Sequence, residues 1–200
     1  MKLLKSPFAL ACVFILFGCS TAPKVTRTSV DEQIDLSGRW NDTDSRLTAE
    51  TMVSSMLSGK WLSRFMSLES REPVVIVGTV RNRSSEHIDN ETFIKDIERE
   101  LVQSGKVIFV AGAESRSEVR KEREDQQSHA TQETTAALAA ETGADYMMQG
   151  VITSQTDAIR GKRTTLYKVD MELIDLESNQ KVWIDTKEIK KLVKQRRASF

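Results

Sequence analysis

Few residues in this chain are of a type that does chemistry. There are two cysteines, Cys12 and Cys19, and two histidines, His87 and His129. Cys12 lies inside an apolar run, and Cys19 stands where that run turns polar, in Ile15-Leu16-Phe17-Gly18-Cys19-Ser20-Thr21. With no cysteine beyond Cys19, a Cys/His metal site is excluded once the leader is gone, as is an intramolecular disulfide. No metal and no cofactor is expected. Both histidines sit in polar segments, with nothing that fixes them to a serine and an aspartate. The chain has no G-x-S-x-G elbow, no phosphate-cradling G-x-x-x-x-G-K and no H-E-x-x-H. Glu114, Glu118, Glu122 and Glu124 alternate with Arg116, Arg120, Lys121 and Arg123, which is the pattern of a solvated helix face rather than of a catalytic carboxylate pair. No catalytic residue is assigned, and the chain is expected not to be an enzyme. The densest set of hydrogen-bonding groups is Arg81, Asn82, Arg83, Ser84, Glu86 and His87. It follows an apolar strand, at the carboxyl end where open α/β sheets place their sites. Those six residues are the candidate partner-binding loop. Asn and Ser also favour turns for local reasons, so the loop reads equally as a capped turn.

The elements that must position these groups begin with a leader. Met1, Lys2 and Lys5 make a basic start, and Phe8 to Phe17 are ten consecutive apolar residues. A membrane helix needs about 20, whereas ten fits a signal-peptide core. Leu16 stands at −3 of the junction, where an ordinary cut wants a small residue. Leu16-Phe17-Gly18-Cys19 instead resembles a bacterial lipobox, in which the Cys thiol takes a diacylglyceryl group and cleavage leaves it as the first residue. Phe17 is larger than usual there. Several acyl chains anchor stably where one is marginal. Ser20 is not the Asp that retains such proteins at the inner membrane, so the outer membrane, facing the periplasm, is the expected address. Residues 1–18 are then the signal peptide, 19–37 the lipidated Cys19 with a short tether, 38–190 a globular domain, and 191–200 a basic tail.

The body reads as α+β, a mixed sheet of about five strands with helices packed on it. A first helix begins near Thr43 or Asp44, carries Leu47, Val53, Met56 and Leu57, and stops at Gly59; Trp61, Phe65 and Leu68 suggest a further helical turn or two. Val74 to Val80 is a continuous β-branched strand. Phe93, Ile94, Ile97, Leu101 and Val102 mark a helix ending near Gly105, and Lys106 to Ala111 a second strand parallel to the first. Ser115 to Glu118 fits a capping box ahead of a charged helix. Thr131 to Glu141 reads as an alanine-rich helix and Tyr146 to Ile152 as a third strand. Thr165 to Leu176 and Lys181 to Ile189 alternate as a hairpin around Glu177-Ser178-Asn179-Gln180, with Val182 and Ile184 on one side and Trp183 on the other. The charge balance is 29 basic against 29 acidic residues. A near-neutral body does not favour nucleic acid, which needs a basic surface.

The segments VVIVGTVRNRSSEHID, ELVQSGKVIFVAG, AAETGADYMMQGVIT and YKVDMELIDLESNQKVWIDTKE, in that order behind a lipobox, resemble the LpoB family, outer-membrane lipoprotein activators of class A penicillin-binding proteins. The resemblance implies a fold similar to the TolB amino-terminal domain and a non-enzymatic role. It implies docking on the regulatory domain of a class A penicillin-binding protein, a peptidoglycan synthase. Membrane attachment is expected through Cys19, and the body is expected to be a monomer. Well-studied members have a long Pro-rich tether; this chain has only residues 20–38. The alternative expectation is a structural or assembly lipoprotein of an envelope complex, a ring-forming oligomer of the curli-secretion type.

Overall fold

The computed structural model describes residues 25–30, 32–129 and 143–194. Cys12, Cys19 and the expected helix from Thr131 to Glu141 lie outside the described residues. The body begins at Gln33. Element order is α1 (Asp42–Leu57), α2 (Lys60–Glu69), β1 (Val74–Asn82), α3 (Asn90–Ser104), β2 (Ile108–Phe109), α4 (Ala113–His129), β3 (Tyr146–Ile159), β4 (Lys162–Asp175) and β5 (Lys181–Lys194). The expected α+β class holds: five strands form one mixed sheet in the order β2-β1-β3-β4-β5. β1 is parallel to β2 and β3, and β3-β4-β5 is an antiparallel meander.

Local chemistry sets the boundaries. Asn41 caps α1, accepting from the Asp44 N–H at 3.0 Å while Asp44 accepts from the Asn41 N–H at 2.9 Å. The expected cap at Thr43 or Asp44 is therefore displaced; Asp44 is the return partner of a capping box. Asp89 caps α3, accepting from the N–H groups of Glu91 and Thr92, and Gly105 ends it at φ 59°. Ser115 does not cap α4, which already begins at Ala113.

One face of the sheet carries the core. Along β4, Thr165, Tyr167, Val169, Met171 and Leu173 are buried and the residues between them less so, the period-two pattern of a strand with one covered face. Val169, Met171 and Leu173 pack with Val75, Val80, Met148 and Ile152 from β1 and β3, Met52 and Met56 from α1, Trp61 and Phe65 from α2, and Phe93, Ile97 and Leu101 from α3. Complete burial of a side chain such as Phe93 contributes about 1.5–3 kcal/mol.

The strands depart from expectation in four ways. β2 is two residues, not six, with Ile108 44% exposed. β3 and β4 run on past the expected strand ends, Ile152 and Thr165, to a turn at Arg160-Gly161, with Gly161 at φ 77°. β5 continues past Ile189 to Lys194 and so takes in four residues, Lys191–Lys194, assigned to the tail on sequence. Val182 and Trp183 both pack against the core, while Ile184 is 65% exposed. The register jump beside Ile174 puts Lys181 opposite Ile174 and Trp183 opposite Leu173, so Val182 is the extra residue of a bulge and does not share a side with Ile184.

Gln33–Ser37, assigned to the tether on sequence, belong to the body. Asn41 Nδ2 donates to the Ile34 carbonyl at 3.3 Å and to Asp35 at 2.8 Å. Lys191 Nζ lies 2.6 Å from Asp35 and 2.6 Å from Asp44, and donates to the Arg39 carbonyl at 3.0 Å. Arg163 donates to the Ser37 carbonyl at 3.0 Å. Gly38, at φ 66°, sits where a Cβ would stand 2.3 Å from Val193 Cγ2. These contacts strap the lead-in across the core side of β4 and β5. Burial works against the Lys191 charge, but Asp35 and Asp44 outweigh it and raise its pKa; burial raises Asp44 even against Lys191.

Candidate docking site

β1 delivers its last residues into the loop 83–88, and the Arg83 N–H donates to the Ile152 carbonyl at 2.7 Å, so the loop stays attached to β3. Beyond that point the side chains alternate. Asn82, Ser84 and Glu86 turn partly inward, while Arg81, Arg83, Ser85 and His87 are exposed. Ile88, 5% exposed, anchors the far end.

The inward set is tied to itself and to the body. Asn82 Nδ2 donates to the Glu86 carbonyl at 2.8 Å, and its Oδ1 accepts from the Ser84 N–H at 2.9 Å. The Ser84 hydroxyl lies 2.7 Å from Asn82 Oδ1 and accepts from the Glu86 N–H at 3.2 Å. The Ser85 N–H donates to Ser154 Oγ at 3.1 Å. The Glu86 carboxylate accepts from the Trp40 N–H at 3.2 Å. Trp40 in turn packs edge-on to Phe93 and Tyr167, at 6.2 and 5.7 Å between centroids. Burial, and after it the neighbouring Glu86 carboxylate, pushes the Tyr167 hydroxyl well above its usual pKa. Half of the loop's polar groups are thus spent on holding its shape.

The outward set is different. Among the described residues, the side chains of Arg81, Arg83 and His87 make no hydrogen bond and no ion pair. Arg81 and Arg83 border a depression of about 220 Å³ on the sheet face away from the core, shared with Gln149, Glu172 and Ile184. Glu172 accepts from Gln149 at 2.7 Å and pairs with Lys181 at 2.6 Å. Lys181 first, and Arg81 more weakly, hold its carboxyl below the usual range. The six residues singled out on sequence are therefore brought together in the chain but divided in role. Gln149, Glu172 and Ile184 were missed; their signal is the period-two alternation of three strands, which puts them on one face once the register is known.

A larger crevice, about 730 Å³, lies at the opposite end of the sheet, between α2 and the β4–β5 turn. Its aromatic floor, Trp61, Phe65 and Tyr146, is itself buried. Its Arg71 and Asp145 are joined in a bidentate pair at 2.6 and 2.8 Å. It reads as a seam between elements. Among the described residues no group of three or more His, Cys, Asp or Glu is placed to hold a metal ion.

Comparison with known proteins gives one family. The model described as "Peptidoglycan-synthase activator LpoB" matches residues 44–189. No curated protein sequence matches the chain. Among solved structures, the LpoB C-terminal domain from Escherichia coli is similar at 18% identity and a TM-score of 0.48, over 73% of this chain and 98% of that one. Its Salmonella enterica counterpart is similar at 18% identity and a TM-score of 0.44, over the same shares of 73% and 98%. A PelC dodecamer from Paraburkholderia phytofirmans is similar at 16% identity and a TM-score of 0.34, over 64% of this chain and 76% of that one.

Proposed function

The chain belongs to the LpoB family of peptidoglycan-synthase activators, and from that membership we propose that it is a lipid-anchored regulator that docks on a class A penicillin-binding protein through Arg81 and Arg83. The observation that carries the docking surface is the division of the loop. Asn82, Ser84 and Glu86 are consumed by internal hydrogen bonds, while two neighbouring guanidiniums are exposed and make no intrachain hydrogen bond or ion pair among the described residues. Guanidiniums suit bidentate recognition of carboxylates, and the hydrogen-bonded loop that presents them needs little further ordering of its backbone on binding. His87, exposed beside them, belongs to the same surface.

The regulator performs no bond chemistry of its own. It activates by binding the working conformation of the synthase more tightly than the resting one, and its effect is limited to that difference in affinity. Attachment is through Cys19 in the outer membrane, with the body in the periplasm. With the body beginning at Gln33, the free tether is residues 19–32, which at full stretch reach about 46 Å. That distance bounds how far Gln33 stands from the anchoring leaflet, and the body's own length adds to the reach of the docking loop.

The test is binding of the chain from Ser20 to Phe200 to a class A synthase. Reversing both charges, Arg81→Glu with Arg83→Glu, is expected to weaken binding by about 2 kcal/mol or more while the thermal midpoint moves by no more than a few degrees. Lys60→Glu, at the other end of the sheet, is expected to leave binding intact. Undiminished binding by the double variant, or capture of no peptidoglycan synthase by crosslinking in cells, sinks the reading.

A further inference from the structure

The β3–β4–β5 arm ends in a surface that the docking loop does not use. Register sets three rows across its outer face: Ile159, Lys162 and Lys194; then Asp157, Thr164 and Leu192; then Gln155, Leu166 and Lys190. Ile159 is 76% exposed and Leu192 56% exposed. Lys162, Lys190, Lys194 and the turn residue Arg160 are all exposed. None of these four cations makes a hydrogen bond or ion pair among the described residues, and Asp157 is the one carboxylate in the three rows. The sequence continues past Lys194 with two further cations, Arg196 and Arg197.

The core side of the same strands is arranged in the opposite way. There Lys191 is neutralised by Asp35 and Asp44, and Arg163 is bonded to the Ser37 carbonyl. The strap that makes these contacts is the start of the body. The chain that leads back toward Cys19 therefore joins the body at the same end as the unpaired cations.

We propose that the outer face of the arm's end, Ile159, Arg160, Lys162, Lys190, Leu192 and Lys194, is a contact surface for an anionic lipid leaflet. Exposed aliphatic side chains among unpaired ammonium groups are the composition of an interfacial surface: the aliphatics enter the headgroup boundary and the cations meet phosphates. Each cation held near such a surface strengthens binding about fivefold. The inference rests on the reading of the chain as membrane-anchored, because the anchor is what keeps a leaflet within reach of so weak a contact.

Every helix, strand and core residue described here lies between Gln33 and Lys194, so the chain from Ser20 to Phe200 keeps the fold and carries no acyl group. The experiment is its co-sedimentation with vesicles of phosphatidylcholine alone, and of phosphatidylcholine and phosphatidylglycerol in equal parts. The expected result is binding to the mixed vesicles only, weakened by salt. Lys162→Glu with Lys194→Glu should reduce it about twenty-five-fold or more, and Ile159→Ser should reduce it several-fold. Arg81→Glu with Arg83→Glu should leave it unchanged. Equal binding to both vesicle types, no loss on Lys162/Lys194 reversal, or loss on Arg81/Arg83 reversal instead overturns the proposal. Because no acyl chain is present, none of these outcomes depends on the state of Cys19, which mass spectrometry of the mature chain reads separately.

Discussion

Asp145 ties the starts of β1 and β3 together through one carboxylate. It takes the Arg71 guanidinium on both oxygens and the Val74 N–H at 2.7 Å. Arg71 first, with the Val74 N–H adding to it and burial opposing, holds its pKa below the ordinary Asp value. The unfolded chain therefore binds this proton more tightly than the folded one. The stabilisation is complete above the ordinary Asp pKa of about 4 and is lost as pH falls through the lower folded value. Asp145→Asn is expected to lower stability by about 1–2 kcal/mol at neutral pH. The gap to wild type should narrow on acidification to about pH 3, as read by urea denaturation at both pH values. Nothing in the sequence pairs Asp145 with Arg71, because the two stand 74 positions apart and meet only through the register of β1 on β3. The loop 81–87 was legible as a polar loop after a strand, since its composition declares that. Which of its side chains are spent inward was not, since Trp40 and Ser154, which hold Glu86 and Ser85, come from distant elements.

At the scale of elements, α3 and β1 could be read directly, because Phe93, Ile97 and Leu101 repeat at helical spacing and Val74 to Val80 are continuously apolar. β5 was cut short because Lys187, Lys190, Lys191 and Lys194 look like a solvated tail. The alternation of Ile189, Lys191 and Val193 on one side continues through them, and a buried lysine with two carboxylate partners conceals it. Val182 misled for a different reason: a bulge adds one residue and shifts the side-chain period. β2 looked longer because Val107 is buried by the core rather than by strand pairing. The strap is held by polar contacts, with residues 32–37 exposed, so it should open without the core. Asp35→Asn removes the Lys191 ion pair on the strap side and leaves Asp44 and the Arg39 carbonyl in place. It is expected to raise the rate of tryptic cleavage after Arg39 about tenfold while the thermal midpoint moves by no more than a few degrees. Cleavage that tracks global unfolding would show the strap to be part of the core.

For the molecule as a whole, the sheet manages both of its edges. β2 is only two residues long. β5 carries Lys181, Asp185, Lys187, Glu188, Lys190, Lys191 and Lys194 along its length, and charge on an edge strand opposes pairing with another chain. No helix among the described residues is long and apolar enough to cross a membrane. The chain from Ser20 to Phe200 is expected to sediment as a monomer at micromolar concentration, and a ring-sized species would favour the assembling-lipoprotein alternative over docking. The clasp of Lys191 on Asp35 and Asp44 also joins the first residues of the body to its last strand, so the polypeptide is mechanically closed at one point. Tension arriving from the direction of Gln33 meets a few polar links before it reaches α1 or the hydrophobic layer. Those links yield first and absorb slack, so a tug transmitted through the leading chain lengthens the leash instead of unravelling the load it carries.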